Sequence, residues 1–149
     1  MAVTPLAASP CPIARSLAVL GEKWTLLVVR EALGGRTRFA DFRTSLGVAP
    51  DVLTDRLQTL VEEGILTRQA YREQGQRERT EYVLTEAGRE LTPVLAALAG
   101  WGRQHRSQDP DTTSRFVDAR TASPVRLSFV DEQDRPIPPT EVSIVRGSS

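Results

Sequence analysis

Apolar residues recur at the three-to-four spacing of amphipathic helices over most of the first hundred positions, with an alternating stretch between Ile65 and Leu84. Pro10-Cys11-Pro12 opens the first predicted helix. Pro12 suits the first helical position, where its missing N–H would be unpaired anyway, while Ile13, Leu17 and Leu20 set the period and Gly21 ends it. A second helix is expected from Glu22 or Lys23 through Trp24 to Leu33. Trp24, Leu26, Leu27, Val28, Val29, Ala32 and Leu33 make it apolar nearly all round and therefore central, and Gly34-Gly35 stop it. Phe39, Phe42 and Leu46 make 38–46 a short amphipathic helix, and Gly47-Val48-Ala49 turn the chain. Pro50 begins another helix, with Leu53, Leu57, Leu60 and Val61 inward and Gly64 as its stop. Two helices joined by a tight glycine-containing turn have the layout of a helix-turn-helix.

From Ile65 the alternation predicts strands at 65–71 and 80–84 around a polar tip, Arg72 to Arg79, which is a β-hairpin with a long loop. A hairpin directly after a recognition helix is the wing of a winged helix. Thr85 is a good N-cap, and Ala87, Leu91, Val94, Leu95, Leu98 and Trp101 mark one face of a helix reaching about residue 105. Pro93 inside it removes a backbone bond and should bend it. Residues 1–9 read as a loose arm. The polar stretch from Ser107 leads to two alternating runs, 125–130 and 141–145, which are expected to pair as a second hairpin. The fold class that follows is α+β and mainly helical, a winged helix-turn-helix with dimerisation helices and a C-terminal β-hairpin tail. Its parts are an arm at 1–9, a winged-helix domain at 10–106, and an extension at 107–149.

Composition narrows the chemistry. The 149 residues are 40% hydrophobic and 26% charged, and nineteen Lys and Arg balance nineteen Asp and Glu, which excludes a polybasic protein but not a local basic face. Residues 1–106 carry a net +2 and 107–149 a net −2, so a polyanion should meet the first. One cysteine, Cys11, allows no disulfide framework within the chain, and one histidine, His105, leaves no imidazole cluster for a metal. No phosphate-binding glycine loop or nucleophile–base pair is visible, so neither an enzyme nor a cofactor is expected. The longest apolar run, Leu26 to Val29, is too short to span a membrane, and the opening MAVTPLAASP lacks the pattern of a secretion signal. A cytoplasmic protein is the expectation.

Taken in order, CPIARSLAVLGEKWTLLVVREALGGRTRFADFRTSLGVAPDVLTDRLQTLVEEGIL and YVLTEAGRELTPVLAALAGWGRQH resemble the HxlR-type transcriptional regulators, a branch of the MarR-like winged-helix group. The likeness covers residues 10–106. It rests on the Cys-Pro opening, Gly-x-Lys-Trp at 21–24, Arg-Phe-x-x-Phe at 38–42, Leu-x-x-Arg-Leu at 53–57, Gly-Ile-Leu, and Tyr-x-Leu-Thr-x-x-Gly at 82–88. The resemblance implies a homodimer on double-stranded, pseudo-palindromic operator DNA, usually a repressor, often responsive to oxidants or electrophiles. The tail after Ser107 lies outside it.

On that reading the recognition helix starts at Pro50 and turns Asp51, Thr54, Asp55 and Gln58 outward. Thr54 and Gln58 can reach base edges, and Gln58 can pair bidentately with adenine. Arg56, on the flank, is either a guanine reader or a phosphate contact, and Asp51 and Asp55 either orient an arginine or accept from a cytosine amino group. Arg36 and Arg38 fit phosphate clamps. Arg72, Arg77 and Arg79 at the wing track phosphates or enter a narrow minor groove, the alternative being a solvated surface paired with Glu73, Glu78 and Glu81. The dimer is expected through Ile13 and Leu17 of the first helix and Leu91, Leu95, Leu98 and Trp101 of the last, although the last four also suit the chain's own core. At a helix start with Arg15 four residues on, Cys11 is the redox-sensing candidate, matching the position of the sensing cysteine in many HxlR-type regulators. Its alternative is a small residue packed in the interface. His105 suits a solvated cation at a helix C-terminus, and Trp24 and Trp101 suit core or interface anchors that can also line a small-molecule pocket. The competing function is a winged-helix protein-interaction module without specific DNA binding.

Overall fold

The computed structural model describes residues 5–108, 115–145 and 147. The first four residues of the expected arm and most of the polar stretch after Ser107 lie outside the described residues. The chain divides into two compact units, Met1–Leu95 and Ala96–Ser149.

The first unit holds a one-turn 3-10 helix (Leu6–Ala8) and then α1 (Pro12–Leu20), α2 (Thr25–Leu33), α3 (Phe39–Leu46) and α4 (Pro50–Glu62). The hairpin β1 (Leu66–Tyr71) and β2 (Arg79–Leu84) follows, then the short α5 (Glu86–Arg89) and the start of α6 (Thr92–His105). The helix-turn-helix is α3–α4, and the wing is β1–β2, antiparallel from Leu66 opposite Leu84 to Tyr71 opposite Arg79. The fold is thus α+β, mainly helical and winged. Its core is built on α2, which packs on α3, α4 and β2. Val28, Val29, Phe42, Leu53, Leu57 and Leu60 are completely shielded from solvent, and Leu66 almost so. Each such side chain contributes about 1.5–3 kcal/mol by its removal from water. The turn residue Val48 is also buried, sealing the corner between α3 and α4.

Three local devices fix the wing against this core. Gly64 takes the left-handed conformation (φ +74°) after α4, and Ile65 N–H returns to the Leu60 carbonyl at 2.8 Å. Thr85 caps α5 by accepting from Gly88 N–H at 3.1 Å, and its hydroxyl donates to the Gly64 carbonyl at 2.6 Å. Tyr82 N–H of β2 donates to the Thr37 carbonyl at 2.7 Å, tying the wing to the segment that leads into α3.

A half-buried carboxylate joins α2 to the helix-turn-helix. Glu31, 11% exposed, accepts from Arg30 Nε and NH2 through Oε1 (3.0 and 2.7 Å), and from Arg36 Nε and Ser45 Oγ through Oε2 (both 2.6 Å). Burial by itself raises this carboxyl, but the hydrogen bonds from Ser45, Arg30 and Arg36 outweigh it and hold the group below the usual glutamate range.

The structure corrects several expectations. The arm contains the 3-10 turn at Leu6–Ala8 rather than being wholly loose. The second helix starts at Thr25 because Trp24 adopts a left-handed backbone (φ +78°) that cannot continue a helix. The helix expected over 86–105 is two: it breaks around Glu90 and Leu91, and Pro93 falls in the first turn of α6, where its missing N–H leaves no helical bond unmade. Arg79, expected at the wing tip, is the first residue of β2.

In the second unit, β3 (Phe129–Val130) pairs antiparallel with β4 (Pro136–Ile137), and Val117 bridges Pro124. The runs 125–130 and 141–145 therefore do not pair as expected. The Asp131 carboxylate accepts from the N–H groups of Gln133 and Arg135 (2.9 and 3.0 Å), and Asp134 takes φ +60°, so the chain reverses at once after Val130. The Arg135 N–H, against desolvation, holds the Asp131 carboxyl below its usual range. Pro138 and Pro139, directly after Ile137, then end the pairing, because a proline brings no donor to the ladder. Residues 139–141 form a 3-10 turn instead.

Two outcomes test this packing. A Cβ at Gly88 would stand 2.7 Å from Leu84 Cδ2 and also strike the Ile65 carbonyl, so Gly88→Ala should destabilise the fold by about 1–3 kcal/mol in urea unfolding. Glu31→Gln should lose about 1 kcal/mol at pH 7. Because the Glu31 carboxyl is lowered on folding, its contribution is present above the unfolded value of about 4.3 and lost as pH falls through the folded one. The gap between the two proteins should therefore close in acid.

Candidate nucleic-acid interface

α4 is two-sided because its leucines recur at 53, 57 and 60. Proline at the first position and Asp51 in the first turn start it, and no side chain caps it. With the leucines wholly buried, Pro50, Asp51, Thr54, Asp55 and Gln58 are all exposed. Thr54 Oγ1 donates back to the Pro50 carbonyl at 2.8 Å, and Gln58 Nε2 donates to Glu62 Oε1 at 2.9 Å. Both are light tethers on a solvated face.

Arg56 is placed differently. Its side chain is only 16% exposed, and its Nε donates at 2.8 Å to the Lys23 carbonyl, thirty-three positions away. NH1 donates to Asp55 Oδ2 at 2.6 Å, and NH2 lies 3.6 Å from Glu22 Oε2. The carbonyl it meets belongs to a strained elbow. Trp24 is left-handed, a conformation that costs of order 1–3 kcal/mol in a residue with a side chain. Thr25 beside it is buried with its hydroxyl unpartnered among the described residues. Lys23 Nζ rests 5.6 Å from the Trp24 ring centre.

The remaining arginines fall into two groups. Arg36 pairs with Glu31 and, with Arg89, flanks a shallow cleft of about 270 Å³ over Ala32, Leu33, Val83 and Leu84. Arg38 pairs with Glu73 of the wing at 2.7 Å and lies 4.4 Å over the Tyr71 ring. The Glu73 hydrogen bond, against desolvation, raises the Arg38 guanidinium further. Arg72 Nε donates to the Gln76 carbonyl at 2.8 Å within the wing tip. Arg77 and Arg79 are exposed and make no ion pair with the described residues.

Cys11 is exposed at the N-cap of α1. Arg15 is turned to the backbone, NH1 donating to the carbonyls of Ser9 and Pro10 at 2.8 Å each. α1 buries none of its residues, and Ile13 and Leu17 are 67% and 53% exposed. On α6, Leu98 and Trp101 are about half exposed, Leu91 before it is half-buried, and Leu95 is buried in the chain itself, so Leu95 is core rather than free interface. In the second unit Trp101 packs against His105 (ring centres 5.3 Å apart) and under Arg106. His105, the last residue of α6, is therefore a ring neighbour of Trp101. Neither tryptophan lines the cleft beside Arg36.

Sequence reasoning passed over Glu31, Glu22, Lys23 and Tyr71. The first three lie in or near the motifs, but Ser45 is fourteen positions from Glu31, and Arg56 is thirty-three from Lys23 and thirty-four from Glu22, pairs that no periodicity reports.

A buried-and-exposed recognition helix followed by a basic hairpin defines the winged helix-turn-helix class. Residues 19–110 match the HxlR-like helix-turn-helix family, and the chain belongs to it. The HTH-type transcriptional regulator Rv3095 of Mycobacterium tuberculosis is 42% identical over 93 residues, covering 62% of this chain and 58% of that protein. The chain thus spans less than two thirds of the length of such curated relatives. Among solved structures, PA1607, a candidate transcription factor, is similar at 34% identity and a TM-score of 0.80, over 97% of this chain and all of that one. The redox regulator HypR in its reduced form follows at 32% identity and a TM-score of 0.58, over 64% of this chain and 94% of that one. Among the described residues no helix is long and apolar enough to cross a membrane.

Proposed function

We propose that the chain is a cytoplasmic, homodimeric, sequence-specific DNA-binding regulator that represses from a pseudo-palindromic operator. The observation that carries this reading is the two-sidedness of α4, where three shielded leucines hold Thr54 and Gln58 in solvent. A helix so presented enters the major groove, with Thr54 and Gln58 at base edges and Pro50 and Asp51 at its leading end. Gln58 exchanges its Glu62 contact for a base. Arg36, Arg38, Arg72, Arg77 and Arg79 meet phosphates, the free Arg77 and Arg79 most directly. The domain that does this is residues 10–106, with 1–9 and 107–149 as appendages.

The second copy is met through Ile13 and Leu17 of α1 and Leu98 and Trp101 of α6, with Leu91 at the margin. Half to two thirds of each of the first four is exposed in the single chain, and a paired helix surface would remove that area from water. Release of DNA follows from reaction of the exposed Cys11 thiol with an oxidant or electrophile, a reading supported by the likeness to HypR, or from a small ligand. With one cysteine per chain, oxidation gives a Cys11–Cys11 bond between subunits or a mixed disulfide with a small thiol.

Titration of the protein against its own upstream duplex and a random one, at two salt concentrations, tests the reading. A specificity ratio on the order of 10³ and a steep salt slope are expected; equal affinity for both duplexes would favour a protein partner. Gln58→Ala should weaken the specific duplex alone by about 1–3 kcal/mol, whereas Arg77→Ala should weaken both and lower the salt slope by about one. Cys11→Ser should keep DNA binding and lose its sensitivity to oxidant; unchanged sensitivity would leave the small ligand.

A further inference from the structure

We propose that Arg56 is a positioning residue, which pins the recognition helix to the elbow between α1 and α2 and so sets how the face of α4 meets DNA. The inference rests on the DNA-binding reading above and assigns Arg56 to neither base nor phosphate. Two of its nitrogens donate within the chain, Nε to the Lys23 carbonyl (2.8 Å) and NH1 to Asp55 (2.6 Å), so each edge of the fork already spends one, while NH2 faces Glu22 as a longer ion pair (3.6 Å). A guanine reader needs two adjacent donors free along one edge of the fork. The surrounding charge also argues against a phosphate, since one guanidinium stands between two carboxylates that are 69% and 72% exposed. With Lys23 of the elbow, two cations balance these two carboxylates, so the corner offers an anion no net attraction. Asp55, awkward on a DNA-facing helix, is accounted for as the group that holds Arg56.

The elbow is where such a pin is needed. Glu22 O already accepts from Thr25 N–H and Trp24 O from Val28 N–H, whereas the Lys23 carbonyl between them takes its bond from Arg56. The left-handed Trp24 and the unpartnered Thr25 hydroxyl make the bend unfavourable by itself, so the contacts around it must hold it. A Cβ at Gly21 would run into the Leu17 carbonyl, so the chain enters the bend at a position that takes only glycine. Lysine cannot replace arginine here, because an ammonium has no planar fork to reach a carbonyl and two carboxylates at once.

The test compares Arg56→Lys, Arg56→Gln and Glu22→Gln with the native protein in three readouts: the specificity ratio, the salt slope, and hydrogen exchange without DNA. For both Arg56 variants the specificity ratio should fall about tenfold, evenly over the half-site. Random-duplex affinity and salt slope should stay unchanged. Amide exchange should speed up together at 22–26 and 50–58 but not in α3. Glu22→Gln should move the same readouts by less, and it remains informative if the Arg56 variants fold poorly. A salt slope lowered by about one would make Arg56 a phosphate contact, and a changed preference at a single base pair would make it a reader; either overturns the proposal. Unchanged exchange at both segments overturns it too. A native protein without sequence preference would instead sink the regulator reading, and the exchange data would still decide the pin.

Discussion

What α4 shows to the outside is decided by what it hides. Leu53, Leu57 and Leu60 lie against a core centred on α2, and their complete burial fixes the helix about its own axis. A rotation that brought Asp51 or Gln58 inward would expose leucine and bury a charge or an amide without a partner, both unfavourable by kilocalories. The polar face is thus the complement of the packing, and the chemistry offered to a groove follows from hydrophobic burial.

Rotation about the axis is only one of the freedoms to be removed. The polar links of the unit restrain the rest: Glu31 joins α2 to the α2–α3 connection and to Ser45 of α3, and Arg38 joins that connection to the wing. The arginines are therefore not equivalent. Some are held by carboxylates in the free protein, while Arg77 and Arg79 stand clear, and a polyanion meets the free ones without competition. Exposed pairs such as Arg38 with Glu73 are worth only about 0–1 kcal/mol, weak enough to be exchanged for phosphate.

Most of the helices and the wing were legible in the sequence because their signals are local. Apolar spacing located α3 and α4, glycines marked their ends, and the alternation after Ile65 marked the hairpin. Prolines misled where the rule was applied without the right register: Pro93 opens α6 rather than bending a longer helix. Trp24 hid the true start of α2, since nothing in a tryptophan announces a left-handed backbone. In the tail, alternation identified strand-forming residues but not their partners, and the Asp131 turn chose a different pairing. The outward face of α4 was readable, yet the commitment of Arg56 was not, because its principal partner is a backbone carbonyl far away in sequence.

The central claim is that α4 and the wing form one DNA-facing surface while α1 faces elsewhere. Mapping amide chemical-shift changes as the full chain is titrated with its own upstream duplex tests this most directly. The account predicts that the shifts concentrate at 50–58 and 72–79 and spare Ile13 and Leu17. Shifts confined to α1 or the tail, with α4 silent, would contradict it.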